Sequence, residues 1–576
     1  HCGISSLLGP RPVTDPDPSQ PHAWLLFYRA FELSGDLEGV GSLCAALNRR
    51  GFRVTPYFAQ TLRDHATRES LLSASEKDAP SVVLCLHQFS VQDNALAPSF
   101  FERLGVPVLQ VGASHRPRAG WGPSRPPSAG LSPSETATQC ALPELDGRVF
   151  AGVTLFREPL LGADLHHHTG CDARCDAIAS QAFRWHRLRS LPNAQKRIVI
   201  LLSNYPISEG RIGNGVGLDT PASALKLLQT LAAEGYETGP LPASAQELMR
   251  RLLEGATNDF DASWDRPVSH LVTKAEATQL LERLPQFLRD DLSKHWDLTM
   301  HQDVPIAGVR FGNIFLGIQP PRGFQHHDAA VYHSPDLPPP PVYLLYYTWL
   351  RETFAADAVV HLGKHGNLEW LPGRSTGLDD SDYPHLVLQD LPNLYPFIVN
   401  DPGEGTQAKR RTHAVIVDHL TPPLMRAGLY GELERLETLL EEHARAASLF
   451  PQRMASIEQQ ILSFLAHSPL GSDLPRGEHS VANADAFLCD LKESRVRNGL
   501  HILGETPSNE RLLDFICSVL ECGSSSRPGL TEAILGRPLG PTFRAEQRDE
   551  AASIAREFVR EVIRNHPEPL PDVPSH

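Results

Sequence analysis

The chain of 576 residues has no apolar run approaching the roughly 18 residues that cross a membrane; its longest candidates, such as Arg197–Leu202, are strand-sized. It has no basic excess. Its 53 Lys and Arg against 68 Asp and Glu leave a net charge of −15, which excludes a general nucleic-acid-binding face while leaving room for a local basic pocket. The nine cysteines are odd in number and scattered from Cys2 to Cys522 without a framework. That is the pattern of a reducing compartment, so a cytoplasmic location is expected. No G-x-x-x-x-G-K-[ST] occurs: Gly363-Lys364 is followed by His365, and Ala358 stands where the first glycine would be. The usual backbone cradle for ATP phosphates is therefore missing. The chain opens at His1 without a charged segment leading into an apolar one, so a fragment or processed chain is expected.

What is present is a globular composition, with 41% hydrophobic and 21% charged residues, together with 26 histidines and 49 prolines. Residues 1–21 are proline-rich and read as a linker or ragged tail. Apolar strand signals at Ala23–Tyr28, Phe52–Phe58, Ser81–Leu86 and Val106–Val111 alternate with helical patterns, defining a first α/β domain over 22–157. His115–Pro133 is a long Pro-, Gly- and Ser-rich loop. Residues 158–194 read as a connection. A second α/β domain with a helical insertion spans 195–340. It opens with Arg197–Leu202 and a glycine-rich loop to Gly217. A helix begins at Thr220-Pro221 and stops at Gly235, and Val309–Gln319 is a further strand. Region 341–430 adds an apolar helix over Tyr343–Phe354 and strands at Ala358–Leu362, Leu394–Asn400 and Ala414–Asp418. Residues 431–576 read as mostly helical with a disordered end. The fold class is thus multidomain α/β, with parallel-sheet units, helical insertions and a largely helical C-terminal part. No internal repeat is visible.

Chemistry concentrates at His361-Leu362-Gly363-Lys364-His365-Gly366-Asn367-Leu368-Glu369-Trp370. His361, His365 and Glu369 recur at spacings of four, but Gly363 and Gly366 argue against a helix. A strand ending in a loop fits better, with His361 at the carboxyl end where open α/β sheets place ligands. Two imidazoles and one carboxylate suit cobalt, zinc, nickel or iron. The structural alternative has one histidine on backbone and Glu369 paired with Lys364. A second segment, Asn400-Asp401-Pro402-Gly403-Glu404 through Lys409-Arg410-Arg411, reads as a loop and helix start with three cations. They suit carboxylate recognition, or a solvated helix face. His166-His167-His168 with Cys171 and Cys175 admits a soft-metal reading, though no second pair completes a zinc site.

The run at 361–373, the run at 400–411 and Asp418–Leu424 resemble the signatures of the family that joins CobN to the large component of magnesium chelatase. Shorter segments agree in order, among them Gly317–Gly323 and Gly499–Ile502, so the resemblance covers about 22–505. Lys364 and Trp370 stand where the magnesium branch usually shows threonine and phenylalanine, which points to the cobalt branch. Members are about twice this length, and residues beyond about 505 match poorly. The resemblance implies ATP-dependent insertion of cobalt(II) into hydrogenobyrinic acid a,c-diamide, a corrin precursor. ATP and Mg would be used by a separate AAA+ ATPase subunit, alongside a further smaller subunit. It implies Glu369 and His365 as catalytic residues and His361, His365 and Glu369 as metal ligands. Lys364, Trp370, Asn400, Asp401, Glu404, Lys409, Arg410 and Arg411 would be substrate contacts, and Tyr395 would pack on the ring. The rivals are magnesium insertion into protoporphyrin IX, a non-catalytic truncated carrier, and an unrelated metallohydrolase.

Overall fold

A computed structural model of the chain describes residues 2–5, 8, 20–92, 98–121, 130–160, 165–204, 212–215, 217–258, 266–323, 334, 336–363, 366–399, 402–421, 435–436, 438–440, 442–443, 453–467, 481, 484, 500–521, 527–536 and 545–565. These form two compact units. One is built from the chain up to 216 and from 220 to 419, the other from 217–219 and 420 onward.

The early strand signals converge on a seven-stranded sheet. Its strands are β1 (Cys2–Ile4), β2 (His22–Tyr28), β3 (Arg53–Ala59), β4 (Val82–Cys85), β5 (Val108–Ser114), β6 (Val149–Pro159) and β7 (His166–Gly170). They lie in the order β1-β3-β2-β4-β5-β6-β7. The inner pairs are parallel, whereas β1 and β7 are antiparallel edges. β2 buries six of its seven residues, as a strand covered on both faces must. Helices α1 (Glu38–Arg49) and α3 (Asp172–Ser190) pack Val40, Leu43 and Ile178 against Leu25, Phe27 and Leu84. Helix α2 (His65–Lys77) and Phe100–Phe101 meet Trp24, Leu26 and Val83 on the other face. Three readings change here. Cys2–Ile4, taken for tail, is an edge strand. Val149–Pro159, which drew no strand signal, is the longest strand of the sheet. The segment 158–194 is not a bare connection, because it supplies β7 and α3.

The second sheet contains β8 (Ile198–Leu202), β9 (Gly308–Phe311), β10 (Ile314–Ile318), β11 (Ala358–Leu362), β12 (Asn393–Ile398) and β13 (Ala414–His419). Their order is β9-β10-β8-β11-β12-β13, and every pair except β9/β10 is parallel. Val309–Gln319 is therefore a hairpin and not one strand. Gly312 turns it at φ +54, and a Cβ there would lie 2.4 Å from the Glu237 carbonyl oxygen. Strands from 195–340 and from 341–430 belong to one sheet. The covering helices include α4 (Thr220–Ala233), α5 (Lys274–Glu282), α6 (Pro341–Thr348), α7 (Tyr383–Leu388) and α8 (Pro402–Arg411). Gly235, at φ +82, ends the run after α4 as read from the sequence.

The five parallel strands of each sheet share one order, with the first strand in chain sequence lying second: β3-β2-β4-β5-β6 and β10-β8-β11-β12-β13. This doubly wound order reverses beside the first strand and opens a crevice at the carboxyl ends. In the second sheet that crevice faces the ends of β8, β10 and β11.

Trp121, from the long loop after β5, joins the two sheets. It is 5% exposed and packs on Gly377, where a Cβ would sit 2.8 Å from the indole. The guanidinium carbons of Arg174 and Arg374 lie 5.0 and 5.6 Å from its ring centre. Both cations pair with Asp379, Arg374 at 2.9 Å, and Arg374 also meets Asp382 at 2.8 Å.

In the second unit, helices α9 (Met454–His467), α10 (Asn509–Glu521) and α11 (Ala545–Asn565) are helical as expected. Leu436, Leu440, Ile457, Ile461 and Leu465 form one apolar cluster, and Arg556 ties α11 to α10 through Asp514 at 2.7 Å. The chain end read as disordered, 566–576, lies outside the described residues.

Trp121→Ala is expected to lower the unfolding free energy by about 3–5 kcal/mol in urea, the usual cost of emptying an aromatic site, with Trp121→Phe recovering part of it. A loss below about 1 kcal/mol would mean the indole does not join the sheets.

Candidate active site

β11 ends at the crevice and carries His361 to it. His361 is 5% exposed, and both ring nitrogens are engaged inside the fold. Asn393 Nδ2 donates to the Thr412 carbonyl and hydroxyl oxygens at 3.1 and 3.2 Å. That turns Asn393 Oδ1 toward His361 Nδ1, 2.8 Å away, and makes Nδ1 the protonated nitrogen. On the other side Gln319 Nε2 donates to the Tyr347 hydroxyl at 3.1 Å. The Tyr347 O–H in turn lies 3.0 Å from His361 Nε2, which accepts its proton. Burial pushes the imidazole down to about 4, and the Asn393 hydrogen bond offsets this only in part. His361 is thus neutral at physiological pH, and its Nε2 lone pair is turned toward the Tyr347 hydroxyl.

Aromatic rings continue the row. Tyr343 stacks on Tyr347 at 5.2 Å, Tyr347 on His361 at 6.1 Å, and Tyr395 lies 6.0 Å beyond. Tyr343 donates to Asn367 Oδ1 at 2.5 Å. Burial raises the phenols of Tyr343 and Tyr395 well above 10, so both are donors at neutral pH.

Glu369 rides on the short 3-10 turn Leu368–Trp370 and is 3% exposed. Its carboxylate folds back over Gly366. A Cβ at 366 would lie 3.0 and 3.2 Å from the two carboxylate oxygens and 2.8 Å from the Tyr395 hydroxyl, so only glycine permits the arrangement. The Gly366 N–H donates to the Tyr395 oxygen at 2.9 Å, and the Tyr395 O–H donates to Glu369 Oε1 at 3.4 Å.

Arg411 holds this turn from behind. It is buried, and all three of its side-chain nitrogens donate to carbonyls of the motif segment. These are Glu369 at 2.5 Å, Leu371 at 2.8 Å, Arg374 at 3.0 Å and Gly373 at 3.1 Å. Burial pulls its pKa to about 10, which still leaves it charged. Arg411 is therefore a structural cation and not an outward carboxylate clamp. Arg410 meets Glu144 at 3.1 and 3.2 Å, and Lys409 lies 4.0 Å from the same carboxylate. Glu404 and Trp370 are half-buried, on α8 and on the 3-10 turn. Lys364, His365, Asn400 and Asp401 lie outside the described residues. Tyr395, expected to face a bound ring, is 2% exposed and faces Glu369.

The sequence reading missed Gln319, Tyr347, Asn367 and Asn393. Tyr343 and Tyr347 had a signal in their i, i+4 spacing on an apolar helix, whereas Asn393 had none. The His166–His168 tract is a strand: His168 Nδ1 binds Asp36 at 2.7 Å, and Cys171 and Cys175 are buried where α3 begins. No group of three or more His, Cys, Asp or Glu suited to a metal occurs among the described residues.

The family model for CobN/Magnesium Chelatase matches residues 10–572. The chain belongs to the CobN/magnesium chelatase family. The match runs past 505, so the C-terminal residues are family sequence and not a departure from it. The aerobic cobaltochelatase subunit CobN of Pseudomonas aeruginosa is 41% identical over 534 residues, covering 90% of this chain and 42% of the relative. The H-type magnesium-chelatase subunit of Rhodobacter capsulatus is 29% identical over 588 residues, covering 94% and 47%. Among solved structures, the catalytic subunit of cobaltochelatase from Mycobacterium tuberculosis matches with a TM-score of 0.74 and 34% identity, over 98% of this chain and 50% of that one. The chain thus spans under half the length of these curated relatives.

The depressed His361 pKa fixes a sign. The unfolded imidazole, near 6.5, binds a proton that the folded one refuses. Its stabilisation is complete above pH 6.5 and is lost as pH falls toward 4, at up to about 1.4 kcal/mol per pH unit. His413, also held near 4, adds a parallel slope. His361→Gln is expected to remove one proton's share of the slope between pH 4 and 6.5 in unfolding measurements. An unchanged slope would mean the ring is not held neutral.

Proposed function

We propose that the chain provides the tetrapyrrole- and metal-binding part of an aerobic cobaltochelatase, inserting cobalt(II) into hydrogenobyrinic acid a,c-diamide. The observation that carries this reading is the buried Glu369 carboxylate, held over Gly366 and beside Tyr395 at the carboxyl edge of the second sheet. The 41% identity to a cobaltochelatase subunit against 29% to a magnesium-chelatase subunit favours cobalt over magnesium. No described helix is long and apolar enough to cross a membrane. The work is proposed to take place in the cytoplasm, with an AAA+ partner hydrolysing ATP with Mg and a smaller third subunit completing the complex.

Metal insertion displaces the inner N–H protons of the ring, so a base must stand at the ring centre. Glu369 is the group placed to take them, because its carboxylate is buried and the Tyr395 hydroxyl orients it by donating to Oε1. His365 and Glu369 form the proposed pair that receives the metal. His361 leaves that set and positions the strand end. Lys409 and Lys364 are the cations proposed for the peripheral carboxylates of the ring, with Trp370 against its edge.

In a chelatase reconstituted with its partner subunits, Glu369→Gln is expected to lower turnover about 10²–10⁴-fold while corrin affinity and melting temperature stay near wild type. A destabilised but fully active variant would assign the base elsewhere. His361→Gln separates its two roles. A positioning residue lowers melting temperature and turnover at an unchanged cobalt requirement, whereas a ligand raises the cobalt concentration for half-maximal rate. Arg411→Gln is expected to act through stability, costing at least about 1–3 kcal/mol because buried carbonyls lose their donor. Weakened corrin binding at unchanged stability would return Arg411 to the substrate site.

A further inference from the structure

Arg411 grips the turn that carries Glu369 from its downstream side, at the Glu369, Leu371, Gly373 and Arg374 carbonyls. A carboxylate is placed by both ends of the turn that bears it, so the upstream side needs a holder of its own. Asn367 stands there, at φ −117 and ψ −8, immediately before Leu368–Trp370. An asparagine in that place ordinarily turns its side-chain oxygen onto the N–H groups of the helical turn it precedes. Asn367 makes no such contact. Only its backbone carbonyl serves the turn, accepting from the Trp370 N–H at 3.3 Å.

The side chain is turned outward from the motif instead. It is 6% exposed, and both ends of its amide are engaged. Oδ1 accepts the Tyr343 O–H at 2.5 Å, and Nδ2 donates to the Pro320 carbonyl at 3.4 Å. The two contacts agree on the orientation of the amide, since a phenol faces its oxygen and a carbonyl its nitrogen. Both anchors are themselves fixed. Tyr343 is fully buried on α6 and stacks on Tyr347, and burial holds its phenol well above 10, so it stays a donor. Pro320 follows Gln319, whose N–H donates to the Leu202 carbonyl at 2.9 Å and whose carbonyl accepts from Asn258 Nδ2 at 2.8 Å. The Gly317–Gly323 segment thus reaches the motif twice, through Gln319 on Tyr347 and through Pro320 on Asn367.

We propose that Asn367 is the positioning residue of Glu369. It fastens the upstream end of the turn to α6 and to the end of β10, as Arg411 fastens the downstream end to α8, and the carboxylate stands between the two. The role rests on Glu369 being the base of the proposed reaction. Asn367 acts through Glu369 and touches neither ring nor metal. Its value lies in precision, because a misplacement of about 1 Å can cost about 10²-fold in rate.

Two measurements on Asn367→Ala, Tyr343→Phe and the double variant test this. In the chain alone, hydrogen exchange of the 366–370 amides is expected to quicken at least about tenfold in each variant, while the amides of β11 and β12 keep wild-type rates. In the reconstituted chelatase, turnover per folded molecule is expected to fall about tenfold to a hundredfold, with the corrin KM and the cobalt requirement within about twofold of wild type. Both substitutions cut one contact, so the double variant should be no more than about twofold slower than Asn367→Ala. Tyr343→Phe keeps the ring and the Pro320 contact, and it carries the test if Asn367→Ala does not fold. Unchanged exchange would overturn the proposal whatever the activity. Faster exchange at undiminished turnover, or effects that multiply in the double variant, would overturn it as well. An inactive wild-type complex would instead sink the proposed function, with the exchange rates still deciding whether Asn367 holds the turn.

Discussion

A buried guanidinium holds the centre of this molecule. Arg411 sits at the end of α8 with its nitrogens against four carbonyls of the segment 369–374. An unpaired buried cation would be prohibitive, and those carbonyls, themselves buried, would be costly without donors. Each cost is met by the other, which ties the turn carrying Glu369 to α8. The next residues of that segment are fastened from the opposite side. Asp382, preceding α7, accepts from the Arg374 backbone and side chain, and Arg374 closes on Trp121. The motif is thereby fixed to α8, to α7 and to the first sheet at once.

The floor beneath the motif is aromatic and electrically neutral. Tyr343, Tyr347, His361 and Tyr395 form one row, and its inner side is joined by a chain of hydrogen bonds: Gln319 to Tyr347, Tyr347 to His361, His361 to Asn393. A fully connected buried network is rigid, while a half-satisfied one would be a liability. Its neutrality matters for Glu369. With His361 uncharged and the phenols protonated, the hydroxyl of Tyr395 is the group of the row that donates to the carboxylate. The first sheet uses the same strand order. Its long Pro-, Gly- and Ser-rich loop contributes Trp121 as a joint between the sheets.

Much of this was readable in one dimension. The buried parallel strands announced themselves as short continuous apolar runs, because a strand covered on both faces cannot alternate. The end of α4 was set by Gly235, and the end of β11 by Gly363, both backbone requirements that sequence displays directly. Glu369 stood out through its place in a long family motif. β6 did not, because Gly152 and Thr154 interrupt its apolar run. β7 was obscured by three consecutive histidines, which read as chemistry.

The sequence by itself determined most of the inner parallel strands, that two α/β units are present, and that His361 and Glu369 share one motif with Arg411 in a second. Local patterns of burial and backbone conformation suffice for that. Only the tertiary structure decided what surrounds each of the three. Spacing made His361 a ligand and Arg411 a clamp. The fold instead surrounds them with partners 14, 32 and 42 residues away along the chain, namely Tyr347, Asn393 and the Glu369 carbonyl. Whether a side chain is free to meet a substrate depends on which donors and acceptors the packed chain leaves beside it. That is a property of three-dimensional neighbours, which sequence spacing does not record.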